Sequence, residues 1–436
     1  MKSISPNLQR ATVATLLLAA LIIRFAWAAK RGWVSSAGEA TNVAMALAKG
    51  RGFADAYFVG SGPTAHLMPT TPLLAGFLNW LIGPGVVCEI ALQLIASAEM
   101  MVGFLLLYKL FGRLNAAPLI RLAGLAILCL FPVFLGQESL DFRYWEGGVA
   151  VILATSCLIF IVDLDQQQVQ PKRRQITVLS FLFAVTFFAS PSIGLAIGAC
   201  SLLLLYKNPA WRGRVGMGLA AAAALSILLT PWVVRNERSL GKPIVLRSNM
   251  PLELALANNE RQFRDANKQA FDDSMVAVHP TAAGRGQARV RAVGEVAYMA
   301  ELSRANNRWI AQHPGQFAAL SARHLRQMFF PSAFQFEIGS GSFSAFRAAW
   351  YSIVSAFGVA AIAFGIWRRQ PGYMYLGIVV AVVALTYVPF QPMARYLYLN
   401  YGLLLYCALS WVATLARAAT GIRERNQSNA KPIPLV

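Results

Sequence analysis

Residues 67–82 read LMPTTPLLAGFLNWLI, and whether this run crosses a membrane decides the sidedness of everything after it. It is apolar but short, and Pro69, Pro72 and Gly83 punctuate it. Longer apolar runs lie at 12–29, 86–108, 118–136, 147–162, 176–189, 191–206, 215–234, 348–366, 373–389 and 396–416, each apolar enough to be helical in lipid. If 67–82 stays on one side, the short basic loops all fall on the cytoplasmic face. These carry Lys109, Arg113 and Arg121, then Lys172 to Arg174, then Lys207, Arg212 and Arg214, then Arg368 and Arg369, then Arg417, Arg423 and Arg425. If it crosses, every one of them moves outside, which the positive-inside rule strongly disfavours. The sequence therefore predicts an all-α polytopic membrane protein of about ten transmembrane helices with both termini cytoplasmic. Residues 67–82 would form an interfacial helix in the first outer loop, and a long outer loop would precede the eighth span.

Composition agrees with that architecture. Of 436 residues 57% are hydrophobic and only 13% charged, and the mean hydropathy is +0.51, values a soluble core of this length does not reach. The formal net charge of +20 sits mostly in short segments between apolar runs, where it sets orientation, so no nucleic-acid partner is expected. Five cysteines (Cys88, Cys129, Cys157, Cys200 and Cys407) lie in apolar runs without CxxC spacing and read as small core hydrophobes. Lys2 and Arg10 ahead of an apolar stretch ending in AWAA resemble a secretory signal. Arg24 argues instead for an uncleaved first span, near whose outer end it would snorkel toward headgroups.

The chain divides at the sequence level into a membrane core with seven spans and the first outer loop (1–234, loop 30–85), an extracytoplasmic loop region (235–346), and three C-terminal spans with a cytoplasmic tail (347–436). In the long loop Phe317, Leu320, His324 and Met328 recur at helical spacing, predicting a helix near the membrane surface. The outer segments collect acids and arginines. That combination suits sugar transfer from a lipid-phosphate donor, which needs one carboxylate to take the acceptor's proton and cations to stabilise the departing phosphate. The leaving group is already an anion, so the paired acid and base of a water-using glycosidase are not required.

A first span, an acid opening a short helix (Glu39), then LAKGRGF, GPTA and spaced prolines ahead of an interfacial segment resemble the GT-C superfamily of membrane glycosyltransferases. Within it the pattern is similar to the bacterial relatives of dolichyl-phosphate-mannose protein mannosyltransferases and of lipid A aminoarabinose transferases. PWVVRN at 231–236, RSNMPLELALANN at 247–259, the HPGQF to MFF segment and ARY at 394–396 resemble stretches of the same group. Many relatives carry an Asp-Glu pair where this chain has Gly38 and Glu39.

The resemblance implies a polyprenyl-phosphate sugar donor, a protein, lipid or glycan acceptor, inversion at the anomeric carbon, and a location in the bilayer of a bacterial inner membrane with the site facing the exterior. It also implies a first-loop acid as base, which here is Glu39. Read locally, Ser36-x-x-Glu39 is equally a capping box ahead of an apolar stripe of Ala40, Val43, Ala44 and Leu47. Asp55, His66, Glu138, Asp141, Arg235, Arg247, Arg395 and Tyr396 are the substrate-binding candidates. Asp55 in its glycine-containing loop also suits a turn, and Glu138, Asp141 and Glu146 could instead be loop charges partnered by Arg143. Arg235 and Arg395 lie where spans meet water, at the depth of a lipid phosphate, where an arginine fork binds or merely snorkels. No cofactor is identified, and no dedicated metal motif supports a divalent ion. A transporter or lipid flippase is the rival class, kept open by Glu89 and Glu99 within a span, and a surface-polysaccharide polymerase or ligase is a second.

Overall fold

The computed structural model describes residues 5–33, 38–167, 172–207, 211–337 and 343–429, and among them it is helical with no strand beyond an isolated bridge between Ala54 and Pro63. The first helix, Pro6–Lys30, starts where Ser5 caps the Leu8 N–H and Pro6 supplies a preset φ at the first turn. It packs on Pro118–Leu130 and Val86–Arg113, and the latter lies along Gly147–Gln167. Ser344–Trp367 packs tightly on Ala394–Asn429 because Gly358 lets the backbones meet. A Cβ there would lie 2.6 Å from the Leu404 carbonyl oxygen. All five cysteines are buried and free, as expected of core hydrophobes.

Among the described residues six helices are long and apolar enough to cross a membrane: Pro6–Lys30, Val86–Arg113, Gly147–Gln167, Val215–Leu240, Ser344–Trp367 and Ala394–Ala416. The expected span at 118–136 is instead Pro118–Leu130 bent by 67° into Leu135–Arg143, with Pro132 at the break. The expected spans at 176–189, 191–206 and 373–389 fall on Arg173–Ala189, Pro191–Lys207 and Tyr373–Thr386, of 17, 17 and 14 residues. At 1.5 Å per residue even the longest of these rises only about 26 Å, short of a hydrocarbon core of roughly 30 Å.

The run that decided the topology forms the helix Thr70–Ile82, only 13 residues long. Thr71, Pro72, Ala75, Gly76 and Asn79 face inward, and Gly76 sits so close to the Glu39–Ala48 helix that a Cβ would meet Leu47 at 2.7 Å. Leu73, Leu74, Phe77, Trp80 and Leu81 face outward and are exposed. A short helix with one greasy open face and one packed face has the form of an interfacial helix.

A second core forms where the first loop and the long segment meet the ends of Val86–Arg113 and Val215–Leu240, through Cys88, Leu92 and Trp232. Ala40, Val43, Ala44, Phe53, Tyr57 and Leu67 of the first loop pack with Leu252, Leu256, Val290, Tyr298, Met299 and Leu302 of the long segment after Trp211–Leu240. That segment folds as Met250–Ala257, Lys268–Val278 and Arg285–Gln312, and Gly294, at φ +80°, turns the last of these so that Glu295 enters the joint. Glu295 accepts from Thr64 Oγ1, Ala65 N–H and Ser248 Oγ, fastening the two segments together. The helix expected around Phe317 to Met328 is Pro314–Gln327, with Leu320 and His324 buried along it.

Arg24 does not snorkel. It is fully buried and donates to Glu138 at 2.7 Å and to the carbonyls of Ala20, Leu128 and Cys129. Bending at Pro132 frees carbonyls that would otherwise be held within a helix, and Arg24 satisfies them. Arg143, expected to pair with the acids of its own loop, instead reaches Glu89 at 2.8 Å and Gln93 at 2.9 Å, while Tyr144 donates to Glu89 at 2.6 Å. Glu89 is therefore absorbed by a packed ion pair at the mouth of the Val86–Arg113 helix. Glu99 keeps one buried carboxylate oxygen without a hydrogen-bond partner, against Gly148.

Candidate functional site

Glu39 opens the Glu39–Ala48 helix, with Gly38 as its N-cap and no capping side chain. An acid in a helix's first turn is stabilised by the dipole, so the local sequence favours a carboxylate here without requiring chemistry. The expected cap, Ser36, lies outside the described residues, and the helix begins at Glu39, not three residues before it.

What the fold brings to Glu39 is two histidines. His279 Nε2 lies 3.1 Å from Glu39 Oε1 and His66 Nε2 lies 3.8 Å away. Both rings are buried, at 4% and 2% side-chain exposure, whereas Glu39 keeps 16%, so the accessible corner of the cluster is the acid. The Thr281 N–H donates to His279 Nδ1, which places the ring proton on Nε2, facing Glu39. His66 Nδ1 lies 3.1 Å from Tyr57 Oη, and the rings of Tyr57, His66 and His279 meet edge to face. Burial pushes the Glu39 carboxyl up, but the His279 hydrogen bond and the two neighbouring rings outweigh it and hold the acid well below its usual range. Burial pushes His66 down to about 3 against the pull of Glu39, so this imidazole is neutral at ordinary pH.

The second part is a cavity of about 410 Å³ beside the cluster, walled by the turn after the bent helix (Phe142, Trp145), by 246–253, and by 386–399. Two arginines line it. Arg247 pairs with Glu146, and Arg395 lies over the Trp145 ring at 4.3 Å and donates to Tyr396 Oη at 3.2 Å. The Nε of each is buried without a hydrogen-bond partner. Two guanidinium groups on the wall of one cavity mark a place where an anion with several oxygens would be welcome. Tyr396 stacks on Tyr387 with centroids 4.1 Å apart, which fixes the ring beside Arg395.

Glu253 joins the two parts. Burial raises its carboxyl, opposed first by the charge of Arg395 and reinforced by Glu39, so its field reaches both the arginine wall and the acid cluster. Asp141 lies close enough to Arg395 to feel its charge.

The sequence candidates thus separate. Glu39 and His66 share one cluster, and Arg247, Arg395, Tyr396 and Asp141 belong to the cavity. Asp55 is a loop staple at φ +61°, accepting from Gly60 N–H at 3.0 Å, Gly62 N–H at 3.2 Å and Arg51 at 2.7 Å. Arg235 clamps the first loop by donating to the Thr64 and Phe53 carbonyls and to Asn236, and Glu138 is buried against Arg24. None of these three lines the cavity. His279 and Glu253 were not singled out in the sequence, since one lies in an unmarked His-Pro step and the other mid-helix. The available hint was rarity, because the chain has only four histidines.

Glu39, His66 and His279 offer a carboxylate oxygen and two ring nitrogens within 4.8 Å of one another, a donor set a divalent cation accepts. His279 would first have to move its proton to Nδ1, where Thr281 Oγ1 at 2.6 Å can accept it, and Tyr57 would play that part for His66. The sequence held no dedicated metal pattern, because these ligands come from three distant segments.

No protein-family model and no curated protein matches the chain. Solved structures do. The archaeal oligosaccharyltransferase AglB from Archaeoglobus fulgidus, in complex with an inhibitory peptide and a dolichol-phosphate, is similar with a TM-score of 0.55 and 12% identity, over 98% of this chain and 52% of that one. The apo form of the Archaeoglobus fulgidus enzyme gives 0.52 and 11%, over 98% and 53%, and its complex with Zn and sulfate gives 0.51 and 10%, over 94% and 50%. This chain spans about half the length of those it matches. The likeness shows that this chain shares the all-α fold of those structures over nearly its whole length.

Proposed function

We propose that this chain is a membrane glycosyltransferase that moves a sugar from a polyprenyl-phosphate donor to an acceptor hydroxyl, with inversion, on the outer face of a bacterial inner membrane. The observation that carries this reading is the pairing of a cavity lined by Arg247 and Arg395 with an ionised acid clasped by two histidines. The solved neighbour that holds a dolichol-phosphate and an inhibitory peptide supports a lipid-linked donor and a separate acceptor.

In this reading Arg395 and Arg247 hold the donor phosphate, and Tyr387 and Tyr396 form a stacked wall beside it. Glu39 orients the acceptor hydroxyl and takes its proton as the oxygen attacks the anomeric carbon. The bond to the phosphate oxygen breaks on the opposite face, and the phosphate leaves as an anion held by the arginines. A carboxylate held low by His279 is a weak base. Glu253, whose carboxyl burial raises, is the nearby group better able to keep that proton. A divalent ion on Glu39, His66 and His279 would acidify a bound hydroxyl, and the neighbour bearing Zn and sulfate makes that donor set worth testing.

The test is release of polyprenyl phosphate by the purified chain in lipid, across a panel of polyprenyl-phosphate sugars with sugar, peptide and lipid acceptors. Acceptor-dependent release with at least one donor is the expected result. No release with any pairing, together with movement of lipid or sugar across proteoliposomes, would favour the transporter. The Glu89 to Arg143 ion pair weakens that rival, since it accounts for an intramembrane acid by packing.

A further inference from the structure

The bent segment Leu135–Arg143 separates two cavities. Phe142 lines the one described above, while Leu135 and Gly136, at the other end of the segment, line another of about 770 Å³. This second cavity opens between the ends of Pro6–Lys30 and Ser344–Trp367 and the bend after Pro118–Leu130. Its walls are Trp27, Phe131 and Phe346, with Phe343 at the rim. Among the described residues its charged lining is Lys30, Arg31 and Arg347, with no acid. Lys30 ends a span only a few residues before Glu39, so the cavity lies at the same membrane face as the candidate site. Those cations are therefore not the ones that the charge rule assigns to the cytoplasmic loops.

We propose that this cavity is a binding site for an anionic phospholipid of the surrounding bilayer, its phosphate held by Lys30 and Arg31 with Arg347 adding positive charge from the wall, and its chains lying against Trp27, Phe131 and Phe346. Three observations select that occupant. The cavity is bounded by two membrane-spanning helices, so it is reached sideways from lipid. Its charge is of one sign and sits at headgroup depth, the last residue of a span and the first turn of another. Its walls are aromatic, and two of them, Phe343 and Phe346, are 80% and 52% exposed, surface that acyl chains cover and a free phosphate does not. Arg347 is anchored from behind by Gln137 at 3.0 Å and by the Val133 and Phe336 carbonyls, so an occupied cavity would also brace the bent segment whose other end carries Phe142 and Asp141. The inference is independent of the sugar-transfer reading.

The experiment is native mass spectrometry of the full chain from neutral detergent, titrated with phosphatidylglycerol or phosphatidylcholine. Each juxtamembrane cation contributes roughly fivefold in affinity for an anionic headgroup. One phosphatidylglycerol should therefore be held tightly, phosphatidylcholine weakly, and the Lys30→Gln/Arg31→Gln variant should lose at least about tenfold for phosphatidylglycerol alone. Phe346→Glu, on the exposed wall, should expel the same lipid and serves if the double variant does not fold. Equal retention of the two lipids, unchanged retention in the variants, or displacement of phosphatidylglycerol by millimolar inorganic phosphate would each overturn the proposal.

Discussion

His279 Nε2 donates to Glu39 Oε1 across 3.1 Å, joining the first loop to the end of the Lys268–Val278 helix. With the His66 ring also turned toward the same oxygen, the acid is ionised and its orientation fixed before any substrate arrives. Preorganisation of that sort puts the carboxylate where a hydroxyl can meet it, at no cost during the reaction.

His66 gives the site a pH signature. Its ordinary value is 6.5 and the fold pushes it down to about 3. The unfolded chain therefore binds a proton between those values that the folded chain does not, so stability is fully present above about pH 6.5 and falls as pH drops through that window. One proton corresponds to about 1.4 kcal/mol per pH unit. Thermal unfolding midpoints from pH 7 to pH 5 should fall less steeply in His66→Gln than in wild type. Parallel lines would remove His66 from this role. Glu39 adds its own loss only below its ordinary 4.5, since its folded value is depressed, so it does not contribute to the slope above pH 5.

Arg395 and Arg247 should divide by their partners. Arg395→Gln is expected to raise KM for a polyprenyl-phosphate donor by roughly 10- to 100-fold, the range for a charge-assisted contact of about 1.5–3 kcal/mol. Arg395→Lys should recover only part, because an ammonium cannot form the two-pronged contact. Arg247→Gln also strands the Glu146 carboxylate, so its loss should be partly reversed by Glu146→Gln in the same chain. Donor titrations of the four variants measure all of this.

The buried pair of Arg24 and Glu138 should behave as a structural unit. Arg24→Met alone leaves a carboxylate in the core and should cost about 3–5 kcal/mol. Arg24→Met with Glu138→Leu should cost less than the two single changes summed. Unfolding midpoints of the four proteins close the cycle, and additivity would mean the two residues act separately.

Cation binding follows from the donor set. Zn or Mn titrated calorimetrically into metal-free protein should bind one equivalent near Glu39, through one carboxylate oxygen and two ring nitrogens. His66→Ala and His279→Ala should each weaken it strongly, and binding unchanged in both would show that the histidines serve Glu39 alone.

Much of the architecture was legible because lipid imposes simple rules. Apolar runs read directly as helices, and the short run at 67–82, punctuated by Pro69, Pro72 and Gly83, forms a helix of only 13 residues. Bending was not legible. Pro132 gave no warning that its neighbours would need Arg24, or that Arg24 would in turn take Glu138 out of the loop. The site was half legible. Glu39, His66, Arg247 and Arg395 stand out as polar groups near membrane ends, yet Arg235 stands out equally and only its contacts with the Thr64 and Phe53 carbonyls reveal it as a clamp. His279 and Glu253 reach the site through contacts between distant segments, which no local pattern encodes.

The central claim is that Glu39 is the carboxylate at the reacting centre of a sugar transfer. The most direct measurement is polyprenyl-phosphate release by wild type and Glu39→Gln, with the donor and acceptor that wild type uses. Glutamine keeps the shape and can still accept from His279, so the variant should fold, bind donor and lose about 10²- to 10⁴-fold in turnover. Release at the wild-type rate from the folded variant would contradict the account and return Glu39 to the helix start as a structural acid.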